Sequence, residues 1–232
     1  MALSLWSEQT YTGPTMVMSG YLQLFEKARL SNTPSIDLNF GQLRIYKNGG
    51  TSRFRIDDMV PDTTPITLRG GTLAFWGRQQ MDDFEEVGDV ILDSGLNWLD
   101  VTRAGTGLNS ALLTMNRLNR SDASGSVLMV TAYGAGTGAN LGTFGTDSGR
   151  VVSRIAPALK MGMLGGWAVS EDDFLSYVAG ASPELSSGFG ALNQVGFAQY
   201  DVNFDPFSVE TTAFGTNVKT FSSTYEKNVR LL

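Results

Sequence analysis

Three short segments of the chain share one pattern: glycine, a variable residue, leucine, another variable residue and a large apolar residue. They are Gly20-Tyr-Leu-Gln-Leu24, Gly41-Gln-Leu-Arg-Ile45 and Gly71-Thr-Leu-Ala-Phe75. An alternating run precedes each one, and these runs are Thr15-Met-Val-Met18, Ser35-Ile-Asp-Leu38 and Pro65-Ile-Thr-Leu68. Units of strand, glycine turn and strand bury their apolar faces only by stacking on one another. The repeat therefore predicts an all-β fold, a β-solenoid with loop excursions.

Period-two alternation predicts which face of each repeat is buried. The core face holds Leu22, Leu24, Leu43, Ile45, Leu73 and Phe75, and the opposite, solvated face holds Gln23, Gln42, Arg44 and Thr72. The glycines that open the second strands stand at corners. Because glycine reaches positive φ without steric cost, we expect it to be needed there for its backbone conformation.

Looser units continue the theme beyond the three clear repeats. They are Val90-Ile-Leu92, Ser94-Gly-Leu-Asn-Trp98, Leu112-Leu-Thr-Met115 and Val127-Leu-Met-Val130. We expect a glycine-rich loop over 131–149 and a strand at Leu164-Gly-Gly-Trp-Ala-Val169. Ser170 and the acidic residues after it predict a short helix within 171–178. The chain is interpreted as one domain over 1–232, with a less regular, glycine- and aromatic-rich segment at about 131–210.

Composition restricts the classes of function. Charged residues make up 17% of the chain and its net charge is −6. Lysine and arginine are scattered, so no surface that could neutralise phosphates is predicted and we expect no nucleic-acid partner. No apolar run reaches about 18 residues, so we also expect no membrane insertion. The chain has no cysteine and no histidine, which removes thiol catalysis, the Ser-His-Asp triad and the usual zinc ligands. We predict no enzymatic activity and no cofactor.

The densest group of carboxylates lies in the segment 81–89. It contains Asp82, Asp83, Glu85, Glu86 and Asp89. Such a group could bind calcium or supply the acid and base of a glycosidase. A solvated loop rim explains it more simply, and we predict that rim.

Other groups of residues also have a chemical and a simpler interpretation. A metal at Glu171, Asp172 and Asp173 is weighed against a helix start, and a phosphate cradle at Gly134, Gly136 and Gly138 against a loop. Arg53 and Arg55 beside Asp57 and Asp58 are similar to charged clefts of polysaccharide-degrading enzymes, but exposed ion pairs are commoner. Sugar stacking on Tyr46, Trp76 and Trp98 is weighed against packing. In each case the simpler interpretation is preferred.

Several motifs, in order along the chain, resemble a known repeat. Tyr11-Thr-Gly-Pro-Thr15 followed by Ser19-Gly-Tyr-Leu-Gln-Leu24 resembles the autotransporter-associated β-strand repeat. Leu68-Arg-Gly-Gly-Thr-Leu73 resembles another element of those bacterial surface proteins, and Gly165-Gly-Trp-Ala with Asp173, Phe174 and Tyr177 resembles a stretch between their repeats. The resemblance implies a right-handed parallel β-helix outside the cell or at its surface, with a structural or adhesive role and no shared catalytic residues.

The two ends of the sequence suggest how such a chain could act. Both are apolar and strand-like, so we predict that they stack subunits head to tail into a filament or surface layer through Leu3, Leu5, Trp6, Val229, Leu231 and Leu232. The partner would be the chain itself. An adhesin or stalk segment that binds surface glycans is the first alternative, and a polysaccharide-degrading β-helix such as a phage tailspike is the second. The first residues lack the basic start of a secretion signal, so either a leader has been removed or the chain belongs to something longer.

Overall fold

The computed structural model describes residues 1–47, 58–79, 81–103, 110–133, 149–160, 163–170, 173–179 and 194–199. Within these ranges the chain is all-β, and helix is confined to a short 3-10 segment at Asp122–Ser124. In chain order the strands are β1 (Ala2–Leu5), β2 (Glu8–Gln9), β3 (Thr15–Val17), β4 (Gly20–Phe25), β5 (Arg29–Leu30), β6 (Ile36–Asn39), β7 (Gly41–Tyr46), β8 (Ile66–Arg69), β9 (Thr72–Trp76), β10 (Asp83–Val87), β11 (Val90–Ser94), β12 (Leu96–Thr102), β13 (Ala111–Arg120), β14 (Val127–Tyr133), β15 (Gly149–Ile155), β16 (Ala168–Ser170), β17 (Asp173–Ala179) and β18 (Gln194–Gln199).

Two large sheets contain most of these strands. One has the order β1-β4-β7-β9-β12-β14-β16-β17-β18, and the other has the order β10-β13-β11-β8-β6-β3, with β15 added on β13. From β3 to β9 the chain visits these two sheets in alternation, and β2 and β5 pair separately. All pairs are parallel until β16, after which β17 and β18 add antiparallel pairs. For the described residues, the prediction of an all-β fold with mostly parallel strands is confirmed.

The register of the first sheet superimposes the three repeats as the sequence predicts. Gly20 pairs with Gly41, and Leu22 pairs with Leu43, which in turn pairs with Leu73. All six predicted core residues are buried, and side chains from both large sheets meet in one hydrophobic cluster. On the opposite face Gln42, Arg44 and Thr72 are partly exposed, whereas Gln23 is buried, so its predicted solvation is wrong.

The corner glycines serve two different purposes. Gly20 has a φ of 67°, as predicted, but in the next repeat the left-handed conformation belongs to Phe40, the residue before Gly41. In the third repeat it belongs to Gly70 rather than Gly71. A Cβ on Gly71 would lie 2.4 Å from the carbonyl oxygen of Leu38. Gly71 is therefore required for close backbone approach, and positive φ is the wrong reason for it.

The helix predicted within 171–178 is wrong. Residues 173–179 form β17, which pairs with β16 on one side and with β18 on the other. Along β17 the side chain of Phe174 is exposed, while Leu175 and Tyr177 are buried. Alternate burial of this kind is the period of a strand. The antiparallel partner β18 provides the backbone hydrogen bonds that a helix would have formed within itself. Glu171 and Asp172 lie outside the described residues.

Part of the predicted loop at 131–149 is also strand. Residues 131–133 complete β14 and Gly149 begins β15, whereas 134–148 lie outside the described residues. The strand predicted at 164–169 is shorter than expected, because Leu164 precedes a turn at Gly165 and the strand begins at Ala168. The described parts of 131–210 thus contain strands, and the change from parallel to antiparallel pairing occurs within them.

Candidate functional site

The free side of β1 is the site that the sequence pointed to. Among the described residues β1 pairs with β4 alone, so it is the edge of the nine-stranded sheet. The amide of Tyr21 donates to the carbonyl of Met1. Because backbone groups alternate in direction along a parallel strand, Met1, Leu3 and Leu5 face β4. The N–H and C=O groups of Ala2 and Ser4 therefore point to the open side.

The core is also open at this edge. Leu3 is in register with Leu22, and the next residues in that row are Leu43 and Leu73. The exposed fraction is 55% at Leu3, 6% at Leu22 and zero at the other two. Leu3 is thus a core-facing side chain that no described residue covers. A cavity of about 540 Å³ lies beside it, lined by β1 and by the segment 14–19.

An aromatic row ends at the same edge. The rings of Trp6 and Phe25 are stacked at 4.5 Å, and edge-to-face contacts continue the row through Tyr46 at 5.0 Å to Trp76 at 5.2 Å. Trp6 is 57% exposed. The row therefore presents one ring at the open edge, where a further apolar group could pack on it.

These contacts bear on the sugar-stacking interpretation of the aromatic residues. Tyr46 and Trp76 pack against each other, and the Trp76 indole nitrogen donates to Asp100 at 3.1 Å. Trp98 donates to the hydroxyl of Thr131 at 3.0 Å. The described contacts favour packing for Tyr46 and Trp76, whereas Trp98 is 38% exposed and its sugar-stacking interpretation stays open.

The other half of the predicted stacking surface lies outside the described residues. Val229, Leu231 and Leu232 belong to it, so the structure brings together only Leu3, Leu5 and Trp6. Arg53, Arg55, Asp57 and the three glycines of the suggested phosphate cradle also lie outside the described residues. Asp58, at the margin, is exposed.

The carboxylates at 81–89 do not form the predicted solvated rim. Three of them, Asp83, Glu85 and Glu86, are buried on β10, and only Asp82 is exposed. Asp83 accepts two hydrogen bonds from the guanidinium of Arg78, at 2.8 and 3.1 Å. Buried charges require partners of this kind, and a strand that carries three of them is held by specific ion pairs.

The remaining carboxylates also have named partners. Lys47 Nζ lies 2.8 Å from Glu85 Oε2, and the amide of Val60 donates to Glu85 Oε1 at 2.9 Å. Burial raises the pKa of Glu85, whereas Lys47 lowers it. Glu86 is paired with Arg154. Across the described residues, no three carboxylates are placed to hold a metal ion.

Asp62 is a carboxylate that the sequence analysis did not single out. Asp62 is exposed, but its partial desolvation, followed by the charges of Glu86 and Asp58, raises the pKa of Asp62 from 3.8 to about 6. Its signal in the sequence is weak, because it is one aspartate in a turn, and of the carboxylates that act on it Glu85 and Glu86 lie on β10.

We expect Asp62→Asn to raise the melting temperature at pH 7.5 and to leave it unchanged at pH 3.5. The native pKa of about 6 lies above the unfolded value of 3.8, so the native state holds the proton more tightly. The free energy of unfolding therefore falls as pH rises from about 3.8 to about 6. Asparagine does not titrate, so the variant does not lose this stability. Thermal unfolding followed by circular dichroism at the two pH values measures this. A variant that is less stable than wild type at pH 7.5 would contradict it.

Comparison with family models, with curated proteins and with solved structures finds no match to this chain. The resemblance to autotransporter-associated repeats accordingly stays a prediction from the motifs. In the part of the chain that the structure describes, no helix is long and apolar enough to cross a membrane.

Proposed function

We propose that this chain is a parallel β-helix, a β-solenoid whose subunits stack head to tail into an extracellular filament or surface layer, without enzymatic activity. The parallel registers of β4, β7, β9, β12 and β14 support successive coils lying on one another. The location outside the cell rests on the sequence resemblance. The observation that carries the assembly is the core-facing side chain of Leu3, 55% exposed where its counterparts are buried.

The open edge offers two kinds of interaction to a second molecule. The free N–H and C=O groups of Ala2 and Ser4 can continue the hydrogen-bond ladder of the sheet. Leu3 and Trp6 can continue the apolar core and the aromatic row. The proposed complement is the segment that contains Val229, Leu231 and Leu232 in the next molecule, and this contact is heterologous, so it extends into a filament.

We expect Leu3→Lys to weaken self-association at least tenfold in sedimentation velocity. A lysine at this position would place a charge in the interface and remove an apolar contact. Leu96→Lys is the matched control, because Leu96 is 57% exposed but lies on β12, which is paired on both sides. Equal association of the two variants, or a wild-type chain that stays monomeric at high concentration, would contradict the proposal.

A mixing experiment tests the head-to-tail direction. Leu3→Lys blocks one proposed end and Leu231→Lys blocks the other, so neither variant should form filaments alone. Mixed in equal amounts, they share one intact interface and should form a heterodimer that grows no further. Ser4→Pro, compared with Ser4→Ala, tests the backbone ladder, since only proline removes an N–H that points to the open side.

A further inference from the structure

A second cavity lies away from the edge of β1, where β10 passes into β11. Its volume is about 530 Å³, within the range of small-ligand sites. Glu86, Gly88 and Asp89 line it from this junction, Asn116 lines it from the neighbouring β13 and Arg154 from β15. The turn before β8 closes the other side. No residue of this cavity belongs to the proposed stacking surface.

Two of the polar groups in this cavity are held in place by their neighbours. The side-chain Nδ2 of Asn119 donates to Asp89 Oδ2 at 2.9 Å, and the side-chain Nδ2 of Asn116 donates to Asp89 Oδ1 at 2.5 Å. Glu86 accepts from the guanidinium of Arg154. These contacts fix the direction of both carboxylates before any ligand arrives, and fixed polar groups reduce the entropic cost of binding.

Asp62 adds a solvent-exposed acceptor to this cavity. It lines the cavity from the turn, and among the described residues its carboxylate makes no hydrogen bond or ion pair. Next to it, Thr63 adds a hydroxyl, and Pro65 and Ile91 add apolar surface. The carboxylates, the hydroxyl and the amide groups can form hydrogen bonds with the hydroxyls of a sugar ring. The apolar surface can pack against the C–H face of the same ring.

The net charge of the residues that line the cavity determines which sugars can bind. The lining contains three carboxylates, Asp62, Glu86 and Asp89, and one cation, Arg154. Arg154 is already paired with Glu86, so two negative charges stay uncompensated at neutral pH. A uronic or sialic acid would bring its own carboxylate close to these charges, which disfavours it.

We propose that this cavity binds a sugar ring that carries no negative charge, either neutral or amino-substituted. The site is distinct from the aromatic residues Tyr46, Trp76 and Trp98, none of which lines this cavity. It is also independent of filament formation, because none of its groups lies at the edge of β1. A chain that fails to assemble can still bind a sugar in this cavity, and a chain that assembles can do so without binding a sugar.

A glycan array of neutral, amino-substituted and acidic glycans, probed with the purified chain, tests the proposal. We expect binding within the neutral or amino-substituted sets and none to the acidic set. Isothermal titration with the best-bound oligosaccharide then provides the affinity for the variants. The absence of binding to both non-acidic sets, or preferential binding of acidic glycans, overturns the proposal.

Two variants assign the binding to this cavity. Asp62→Asn removes a charged acceptor and should weaken affinity about tenfold. Thr63→Trp fills the cavity from an exposed turn and should abolish binding without disturbing a buried contact. Asp93→Asn is the control, because Asp93 is an exposed carboxylate that pairs with Arg69 and does not line the cavity. Unchanged affinity in both cavity variants, with native circular dichroism spectra, overturns the assignment.

Discussion

Gly71→Ala is expected to lower the free energy of unfolding by about 3 kcal/mol, at the upper end of the usual cost of overpacking. The added Cβ would lie 2.4 Å from the Leu38 carbonyl oxygen and 2.7 Å from its Cβ. Leu38 is fully buried, and its strand β6 is paired on both sides, by β3 and β8. The obstacle is therefore fixed backbone, and it cannot move aside as the end of a flexible side chain would.

Gly13→Ala is the matched control for this substitution. A Cβ on Gly13 would meet no atom within 4 Å, and its φ is not left-handed. We expect Gly13→Ala to leave the stability unchanged or to raise it slightly, because alanine reduces the freedom of the unfolded chain. Urea denaturation of both variants measures the difference. Equal stabilities would show that the backbone at Gly71 and Leu38 can move apart, which would contradict the close approach described above.

The sequence was informative about the strands because a single local pattern carried the information. Alternation around Leu22, Leu43 and Leu73 identifies three strands and their buried face, and parallel stacking places these residues in one row. A glycine in each repeat then marks the corner. The pattern cannot show why that glycine is needed, since the close approach of Gly71 to Leu38 depends on how two repeats pack against each other.

Buried charges were the feature that the sequence could not predict. An acidic segment looks solvated as long as its partners are unknown, and only Arg78 lies close in sequence to Asp83. Lys47 reaches Glu85 from the end of β7, and Arg154 reaches Glu86 across 68 positions. Long-range pairs of this kind are set by the fold, so their discovery requires coordinates.

The error at β17 has a related cause. Ser170 and the acidic residues after it match a helix N-terminus, and this local preference is real. The alternation of Phe174, Leu175 and Tyr177 competes with it over the same few residues. The antiparallel pairing with β18 decides the outcome, and β18 lies beyond a segment outside the described residues, with no repeat to indicate the pairing.

Lys47→Met is expected to have the largest effect, a loss of about 3 to 5 kcal/mol in the free energy of unfolding at pH 8. Lys47 is 3% exposed and Glu85 is fully buried, so removing the ammonium leaves a carboxylate without a counter-charge in the interior. The amide of Val60 still donates to it, but one hydrogen bond does not replace an opposite charge.

The pH dependence of this variant identifies the cause. Burial already raises the pKa of Glu85 above 4.5, and without Lys47 it should rise further. The native state then holds the proton more tightly than the unfolded chain, so the stability of Lys47→Met falls as pH rises above about 4.5 and recovers on acidification. Urea denaturation at pH 5 and pH 8 should show this recovery relative to wild type.

The double variant Lys47→Met/Glu85→Gln separates the lost ion pair from lost packing. Glutamine keeps an oxygen for the Val60 amide and removes the buried charge, so the double variant should regain most of the stability at pH 8. It should also lose the pH dependence of the single variant. If Lys47→Met and the double variant were equally destabilised at both pH values, the cost would come from other contacts of Lys47, whose Nζ lies 5.4 and 5.8 Å from the ring centroids of Phe75 and Phe84. The buried pair would then contribute little to holding β10 in place.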